Sequence, residues 1–283
     1  MKKIGIIDYY IDEWHSNTYL GLFERAAAEL RLNYKVAYAW AELERFEGRR
    51  STDEWCDENK IERCMSIDEL CEKSDNILIL APANPEKHLE YARVALKYGK
   101  STYIDKTFAE SLESANEIYR IAEKYGTKIF STSALRYAVE LDGLENIESL
   151  VICGGGRSLE EYVVHQIEMA VRLMGTDVRD VRVFDRNAHS TSIVNFGGRY
   201  ATLNYSISGG FSVDALVSGE PNSRNLPIKN GEYFYILAKN ILSFFDTNKQ
   251  PFDAAQTIAV IAIRDAIIKG KAMPIGELVK IYK

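Results

Sequence analysis

The chain opens on a short apolar run, Ile4 to Ile7, that gives way at once to polar and aromatic residues and then to a helical pattern. In TYLGLFERAAAEL, Tyr19, Phe23, Ala26, Ala27 and Leu30 fall at three- and four-residue spacing, which predicts a helix. A second strand, YKVAYAW, follows; residues 42–63 are strongly charged with isolated apolar positions, which suits a surface excursion. Ser66 with Glu69 three residues on is the capping-box pattern and predicts a short helix from Ile67 to about Lys73. NILILA has the length of a buried parallel strand. Asn84 and Pro85 supply an N-cap and a first-turn proline for PEKHLEYARVALKYG, which Gly99 ends. STYI and KIFS read as strands on either side of a helix from Ser111 to Gly126.

Strand-helix units of this length imply a parallel sheet covered by helices on both faces, with ligands binding beyond the carboxyl ends of the strands. Asp8, the Ala81–Asn84 turn and Asp105–Lys106 then share one rim. The second half has a different character. A helix, LEEYVVHQIEMAVRLMG, precedes VRVFDR, STSIVNF, YATLNYS and FSVDALVS, which the Gly and Asn turns between them mark as consecutive antiparallel strands. Two helices, EYFYILAKNILSFFD and DAAQTIAVIAIRDAIIKG, finish the pattern. The expected fold class is α/β: an N-terminal Rossmann-like, doubly wound parallel sheet in residues 1–135, and a C-terminal α+β domain with a mainly antiparallel sheet in residues 136–283. The boundary is expected between Ser131 and Leu144.

Composition narrows the function classes. A length of 283 residues suits one large or two medium domains, and 46% hydrophobic with 27% charged residues is the balance of an ordinary soluble protein. A net charge of -6 with no long basic run argues against nucleic acid. No stretch approaches the roughly 18 apolar residues of a membrane span, and MKKIGIIDYY turns polar too soon for a signal peptide, so a cytoplasmic location is expected. Cys56, Cys64, Cys71 and Cys153 lack the spacing of paired zinc ligands, and His15, His88, His165 and His189 are scattered. We read the cysteines as reduced thiols and expect no metal site.

The stretch from ILAPANPEKHLEYARVALKYG through STYIDKTFAESLESANEIYRIAEKYGTKIFSTSALRY resembles the family of glucose-fructose oxidoreductases and inositol dehydrogenases. That family has a Thr-Pro-Asn-like turn after a strand, a histidine on the next helix, and a later strand ending in Glu-Lys-Pro. Here the places hold Ala81, Pro82, Ala83 and Asn84, then His88, then Asp105, Lys106 and Thr107. The family also carries an acidic residue four positions before a histidine on a helix ending in Leu-x-Gly; Glu161 and His165 match on a helix that ends in LMG at Gly175. Four residues is about one helical turn, so both side chains share a face.

The resemblance implies a dehydrogenase of a small sugar-like or polyol substrate that uses NAD or NADP. It implies His165 as the acid-base, Glu161 as the group that orients it, and Lys106 as the group that polarises the substrate oxygen and anchors the nicotinamide ribose. Cofactor contacts are expected at Asp8, Tyr9, Tyr10, Pro82, Asn84 and Lys106, and a homodimer or homotetramer formed through the outer face of the second sheet. The family prefers Asp at the place of Glu161, whose extra methylene moves the carboxylate by more than about 1 Å. Lys106 beside Asp105 has a plainer reading as a rim ion pair, and His88 reads as structural.

Two local features complicate this picture. CGGGR, Cys153 to Arg157, looks like a phosphate loop but lacks its Lys-Ser/Thr; it suits a backbone turn from strand to helix, with Arg157 a tentative contact for an anionic substrate. The first turn has no glycines. Glycines there provide positive backbone dihedrals and room for pyrophosphate at the helix start, whereas this chain has Tyr9, Tyr10, Asp12 and Glu13. A carboxylate about 4 Å from a phosphate costs about 4 kcal/mol at an effective dielectric of 20. The ribose-binding acid expected at the end of the second strand is also missing, Glu42 falling a residue or two late. Two readings therefore stand: an oxidoreductase with an altered cofactor turn, or a non-catalytic relative, sugar-sensing or interaction-forming, whose nucleotide site has closed.

Overall fold

Beta-branched Ile4, Ile6 and Ile7 form the centre of β1 (Lys2–Asp8), which in this computed structural model has parallel neighbours on both sides. Residues 1–186, 189–270 and 273–274 are described. They fall into two compact units.

In the first unit α1 (Trp14–Leu30), β2 (Tyr34–Ala41), α2 (Thr52–Asn59), β3 (Glu62–Arg63), α3 (Ile67–Lys73) and β4 (Asn76–Ile79) follow β1 in turn. Next come α4 (Glu86–Ala95), β5 (Thr102–Ile104), α5 (Leu112–Tyr125) and β6 (Ile129–Phe130). The sheet order is β3-β2-β1-β4-β5-β6, all parallel, and the order reverses between β1 and β4. A crevice for ligands belongs at that reversal, beyond the strand ends. Both strands are buried on both faces, the expected state of a parallel sheet.

Three local expectations change. The first helix starts at Trp14, ahead of the apolar periodicity, because Glu13 caps it. The charged excursion contains a helix of its own: Ser51 and Glu54 form a complete capping box for α2, which buries Trp55 and Cys56, and β3 extends the sheet. Asn84 does not cap α4; its amide bonds to Glu86 at 2.9 Å, and Pro85 occupies the cap position without a side-chain bond.

The second unit is built on β7 (Ile147–Gly155), α6 (Leu159–Met174), β8 (Val178–Arg186), β9 (His189–Phe196), β10 (Arg199–Ser206), β11 (Ser212–Val217) and β12 (Arg224–Pro227). After β12 the chain returns to the first unit: residues 235–251, most of α7 (Tyr233–Thr247) and the turn after it, belong with residues 1–132. Phe244 packs edge-on against Phe130, and Lys2 reaches Asp246 at 3.4 Å. A single cut at residue 135 captures the first crossing but not this return, which an amphipathic helix pattern cannot reveal. The chain then re-enters the second unit with α8 (Ala254–Ile268) and β13 (Met273–Pro274).

The second sheet has the order β12-β11-β7-β10-β9-β8-β13. Strands β8, β9 and β10 are consecutive and antiparallel as expected, but β10 lies parallel to β7, which separates it from β11. The sheet is therefore mixed, mainly antiparallel. Helices α6 and α8 pack on each other and bury Val163, Val164, Ile167, Ile258, Ile261 and Ile263. Gln166, fully buried on α6, donates to the carbonyls of Asn204 at 2.8 Å and Gly154 at 3.2 Å, tying the helix to both parallel strands. No helix among the described residues is long and apolar enough to cross a membrane.

The glycines of CGGGR serve packing. A Cβ on Gly155 would lie 1.7 Å from the Ser206 carbonyl oxygen, and one on Gly156 would enter the Tyr162 ring. Gly21, on α1, has open space around it. We expect Gly155→Ala to lower stability by about 3 kcal/mol, and Gly21→Ala to raise it by up to about 1 kcal/mol. Urea denaturation of both variants checks the pair; equal stabilities would refute the packing account of Gly155.

Candidate functional site

The rim of the first sheet is organised by carboxylates turned inward. Asp8 ends β1, and its Oδ1 accepts from the backbone N–H of Tyr9 at 2.8 Å and of Ala81 at 3.0 Å. Its Oδ2 accepts from the Ser16 hydroxyl at 2.7 Å. Glu13 is the N-cap of α1 and places both oxygens on the helix start, accepting from His15 N at 2.7 Å and Ser16 N at 2.6 Å. Asp8 is 1% exposed and Glu13 5%. Burial, and then the charge of Glu13, push the Asp8 carboxyl well above the usual carboxylate range. Burial acts on Glu13 in the same direction, but the hydrogen bonds and charge of His15 outweigh it and hold Glu13 below its usual value. Asp8 therefore takes up a proton before Glu13 does, and the Ser16 hydroxyl, 3.2 Å from Glu13 Oε1, lies between them.

The surroundings tighten the turn. Arg50 binds Asp12 through its guanidinium at 2.7 Å and its backbone N–H at 2.9 Å, and chiefly for that reason the Asp12 carboxyl lies far below the usual range. Leu43 N bonds to Tyr9 O, and the Tyr10 and Phe46 rings stack 4.4 Å apart. Glu42 stands first after β2, with its backbone bonded to Asp8 O, so it is at the rim and not late. Its carboxylate is held by Lys87 at 2.7 Å and by the Tyr91 hydroxyl at 2.7 Å.

Lys106 follows β5, with a cis peptide bond to Thr107. It is 8% exposed, and its ammonium donates to the Pro82 carbonyl at 3.0 Å. Lys106 forms no ion pair with Asp105: Asp105 Oδ1 receives the Tyr103 hydroxyl at 3.0 Å, and its Oδ2 lies 3.7 Å from His15 Nδ1. His88 is structural as expected. Fully buried, it bridges the carbonyls of Leu80 at 2.6 Å and Phe108 at 3.1 Å, joining the segments that carry Pro82 and Lys106.

In the second unit, His165 lies on α6 between the edges of the Tyr162 and Phe211 rings. Its Nδ1 is 2.6 Å from the Ser133 hydroxyl. Glu161 shares its helix face, but its carboxylate binds Arg157 at 2.5 Å, and the group at the imidazole Nδ1 is the Ser133 hydroxyl. Arg157 is otherwise exposed. Glu168, three residues beyond His165, is buried and accepts from Ser133 N at 3.2 Å and from Arg136 at 3.0 Å. Arg136 also bonds Gln256 and lies 3.8 Å over the Phe252 ring. Ser133, Arg136 and Glu168 were not anticipated, although the three-residue spacing of His165 and Glu168 signals a shared face.

The rim fits a dinucleotide unevenly. A pyrophosphate bound in the usual way needs unoccupied amides at a helix start. Here Glu13 has those amides, with Asp8 behind it, so the turn does not fit that group. Asp8 itself has no oxygen turned toward a cofactor. Lys106 suits an electron-rich oxygen. Among the described residues no cluster of His, Cys, Asp or Glu suits a metal ion.

The raised carboxyl of Asp8 has a defined sign in stability. A group whose folded pKa exceeds its unfolded value stabilises below the unfolded pKa, and that contribution is lost as pH rises through the folded one. We therefore expect Asp8→Asn to stabilise the protein at pH 7 by about 1 kcal/mol or more, one pKa unit being about 1.4 kcal/mol. The gain should shrink as the pH is lowered and wild-type Asp8 takes up its proton. Thermal unfolding of both proteins between pH 5 and 8 checks this; a destabilised variant with no pH trend would show that ionised Asp8 is tolerated.

Comparison with known proteins agrees with the fold. Residues 35–133 match the model of the oxidoreductase family with NAD-binding Rossmann fold. No curated protein matches the chain. Among solved structures, UDP-N-acetylglucosamine 3-dehydrogenase from Acidithiobacillus ferrooxidans superposes with a TM-score of 0.75 at 14% identity, over 95% of this chain and 98% of that one. An oxidoreductase from Agrobacterium radiobacter, solved with NAD+, L-tartaric acid and magnesium, gives 0.77 at 11% identity over 98% and 99%. An NAD-binding oxidoreductase from Klebsiella pneumoniae gives 0.77 at 12% over 96% and 98%. Residues 35–133 thus match an oxidoreductase family with NAD-binding Rossmann fold, the two-unit fold agrees with that of these dehydrogenases and oxidoreductases, and the first turn of this chain is without the glycine-rich pattern.

Proposed function

We propose that the chain is an NAD(P)-dependent oxidoreductase acting on a hydroxyl of a sugar, a polyol or a related small hydroxy compound. The observation that carries this reading is the supported histidine of the second unit, His165, whose Nδ1 faces the Ser133 hydroxyl on a segment pinned by Glu168. With Nδ1 so engaged, Nε2 is the nitrogen that exchanges a proton with substrate, and an imidazole does so near neutral pH. The cofactor, when bound, takes or gives the hydride. His165 accepts the hydroxyl proton in oxidation and returns it in reduction, and the role proposed for the Lys106 ammonium is to polarise a substrate oxygen.

Glu161 acts in this proposal through Arg157, a contact for an anionic part of the substrate. Tyr9, Tyr10, Pro82, Asn84 and Lys106 are the cofactor contacts proposed on the first unit, with Asp8 acting indirectly, since its oxygens are engaged inward and position the turn. A sugar substrate is supported by the likeness to the UDP-N-acetylglucosamine 3-dehydrogenase. The proposal extends to a cytoplasmic homodimer or homotetramer joined through the outer face of the second sheet, where Phe184 and Tyr200 are exposed.

One observation favours the second reading, a non-catalytic sugar-sensing or interaction protein: Glu13 seated on α1. Turnover decides between them. With NAD+ or NADP+ at saturating concentration and a panel of sugars and polyols, we expect turnover that His165→Ala lowers about 100-fold or more and Lys106→Ala lowers comparably, with the fold intact by circular dichroism. No turnover with either cofactor across the panel would favour the non-catalytic reading, and turnover unchanged by both substitutions would remove the site assignment.

A further inference from the structure

The turn that the family uses for cofactor phosphates is here filled by the chain's own carboxylate. We propose that Glu13 is a built-in anionic occupant of this phosphate subsite and sets how weakly the protein holds a dinucleotide; this rests on the reading of the chain as an NAD(P)-linked oxidoreductase. Three features support it. The two oxygens of Glu13 satisfy the N–H groups of His15 and Ser16, the donors a phosphate would take, at 2.7 and 2.6 Å. The occupant is seated and not loose: Glu13 is 5% exposed, and Ser16 links it to Asp8. The turn is also braced from outside, since Arg50 donates to Asp12 from both its guanidinium and its backbone N–H, while Asn17 joins Asp12 to the Trp55 indole.

An anion near the start of α1 meets two obstacles: the amides are occupied, and a carboxylate lies where its charge would go. The adenosine end has a parallel closure, for Lys87 and Tyr91 already hold the Glu42 carboxylate that would receive ribose hydroxyls. Glu13 is the one of these groups whose replacement opens the helix start directly. Serine at that place retains a short capping oxygen for α1 while removing the charge and the reach; glutamine retains the reach and removes the charge.

The experiment measures dissociation constants of ADP-ribose, NADH and NADPH on the full chain by calorimetry, for wild type, Glu13→Ser and Glu13→Gln. ADP-ribose carries the pyrophosphate and adenosine without the nicotinamide, so it reads binding at this end of the site apart from hydride chemistry, and the Glu13 variants isolate the phosphate subsite within it. We expect millimolar binding of ADP-ribose by wild type and a tightening of at least tenfold in Glu13→Ser, with a smaller gain in Glu13→Gln; the latter carries the test if the serine variant does not fold. Equal affinity in wild type and the folded variants, whether tight or absent, would overturn the proposal. The oxidoreductase reading fails separately, if ADP-ribose binding tightens in the variants while none of the three proteins turns over the sugar panel with either cofactor.

Discussion

A carboxylate on the first amides of α1 is the contact from which the rim of the first unit is built. Glu13 meets the helix start where the backbone donors are unpaired and the helix dipole is positive, a placement worth roughly 1 kcal/mol as a cap. Its neighbours turn that local gain into a long-range one. Ser16, in the first turn of α1, donates to Asp8, and Asp8 accepts from Ala81 N, so the exit of β4 is positioned by the exit of β1. His88 then fixes the same segment to Phe108, beyond Lys106. The glycine-free turn is thus part of the framework that holds Lys106 against Pro82.

The second unit solves a different problem, the support of a histidine by buried charge. A buried ion pair stabilises only if its remaining donors and acceptors are met, because desolvation otherwise exceeds the attraction. Arg136 and Glu168 meet that condition: Gln256 takes one guanidinium nitrogen, Ser133 N supplies a second donor to Glu168, and Arg172 donates to the carbonyl of Arg136. The short helix that begins at Ala134 is held from several directions, which places the Ser133 hydroxyl at His165 Nδ1. In the proposed mechanism that placement leaves Nε2 as the nitrogen for substrate.

The parallel sheet was legible because its strands are short apolar runs separated by helices of regular period, a pattern that no other arrangement buries as well. NILILA became β4, and the helix from Ser111 to Gly126 has both caps where serine and glycine stood. The helix inside residues 42–63 was hidden by its charge, although Ser51 and Glu54 carry the same capping signal that marked Ser66 and Glu69. In the second sheet, alternation identified the strands but not their neighbours; nothing local to β10 reports that β7, more than forty residues earlier, lies parallel to it. His165 could be named as a candidate from its helix, but the Ser133 hydroxyl beside it could not, since Ser133 is held there across sequence by Glu168.

The state of the first turn distinguishes a reshaped site from a decayed one. Decay would leave side chains with no common arrangement around the lost glycines. Instead Asp8, Asp12 and Glu13 each have defined partners, and in the two most buried the shifts run in opposite directions: burial and the charge of Glu13 raise the Asp8 carboxyl, while the contacts with His15 outweigh burial and lower that of Glu13. The positive end of α1 is a favourable place for an anion, and the Glu13 carboxylate has it. Under the proposed function that carboxylate stands where a cofactor phosphate would bind, whereas Lys106 and His165, the groups proposed to act on a substrate hydroxyl, lie on other segments. On that proposal, affinity for the cofactor and chemistry on the substrate are governed by separate residues.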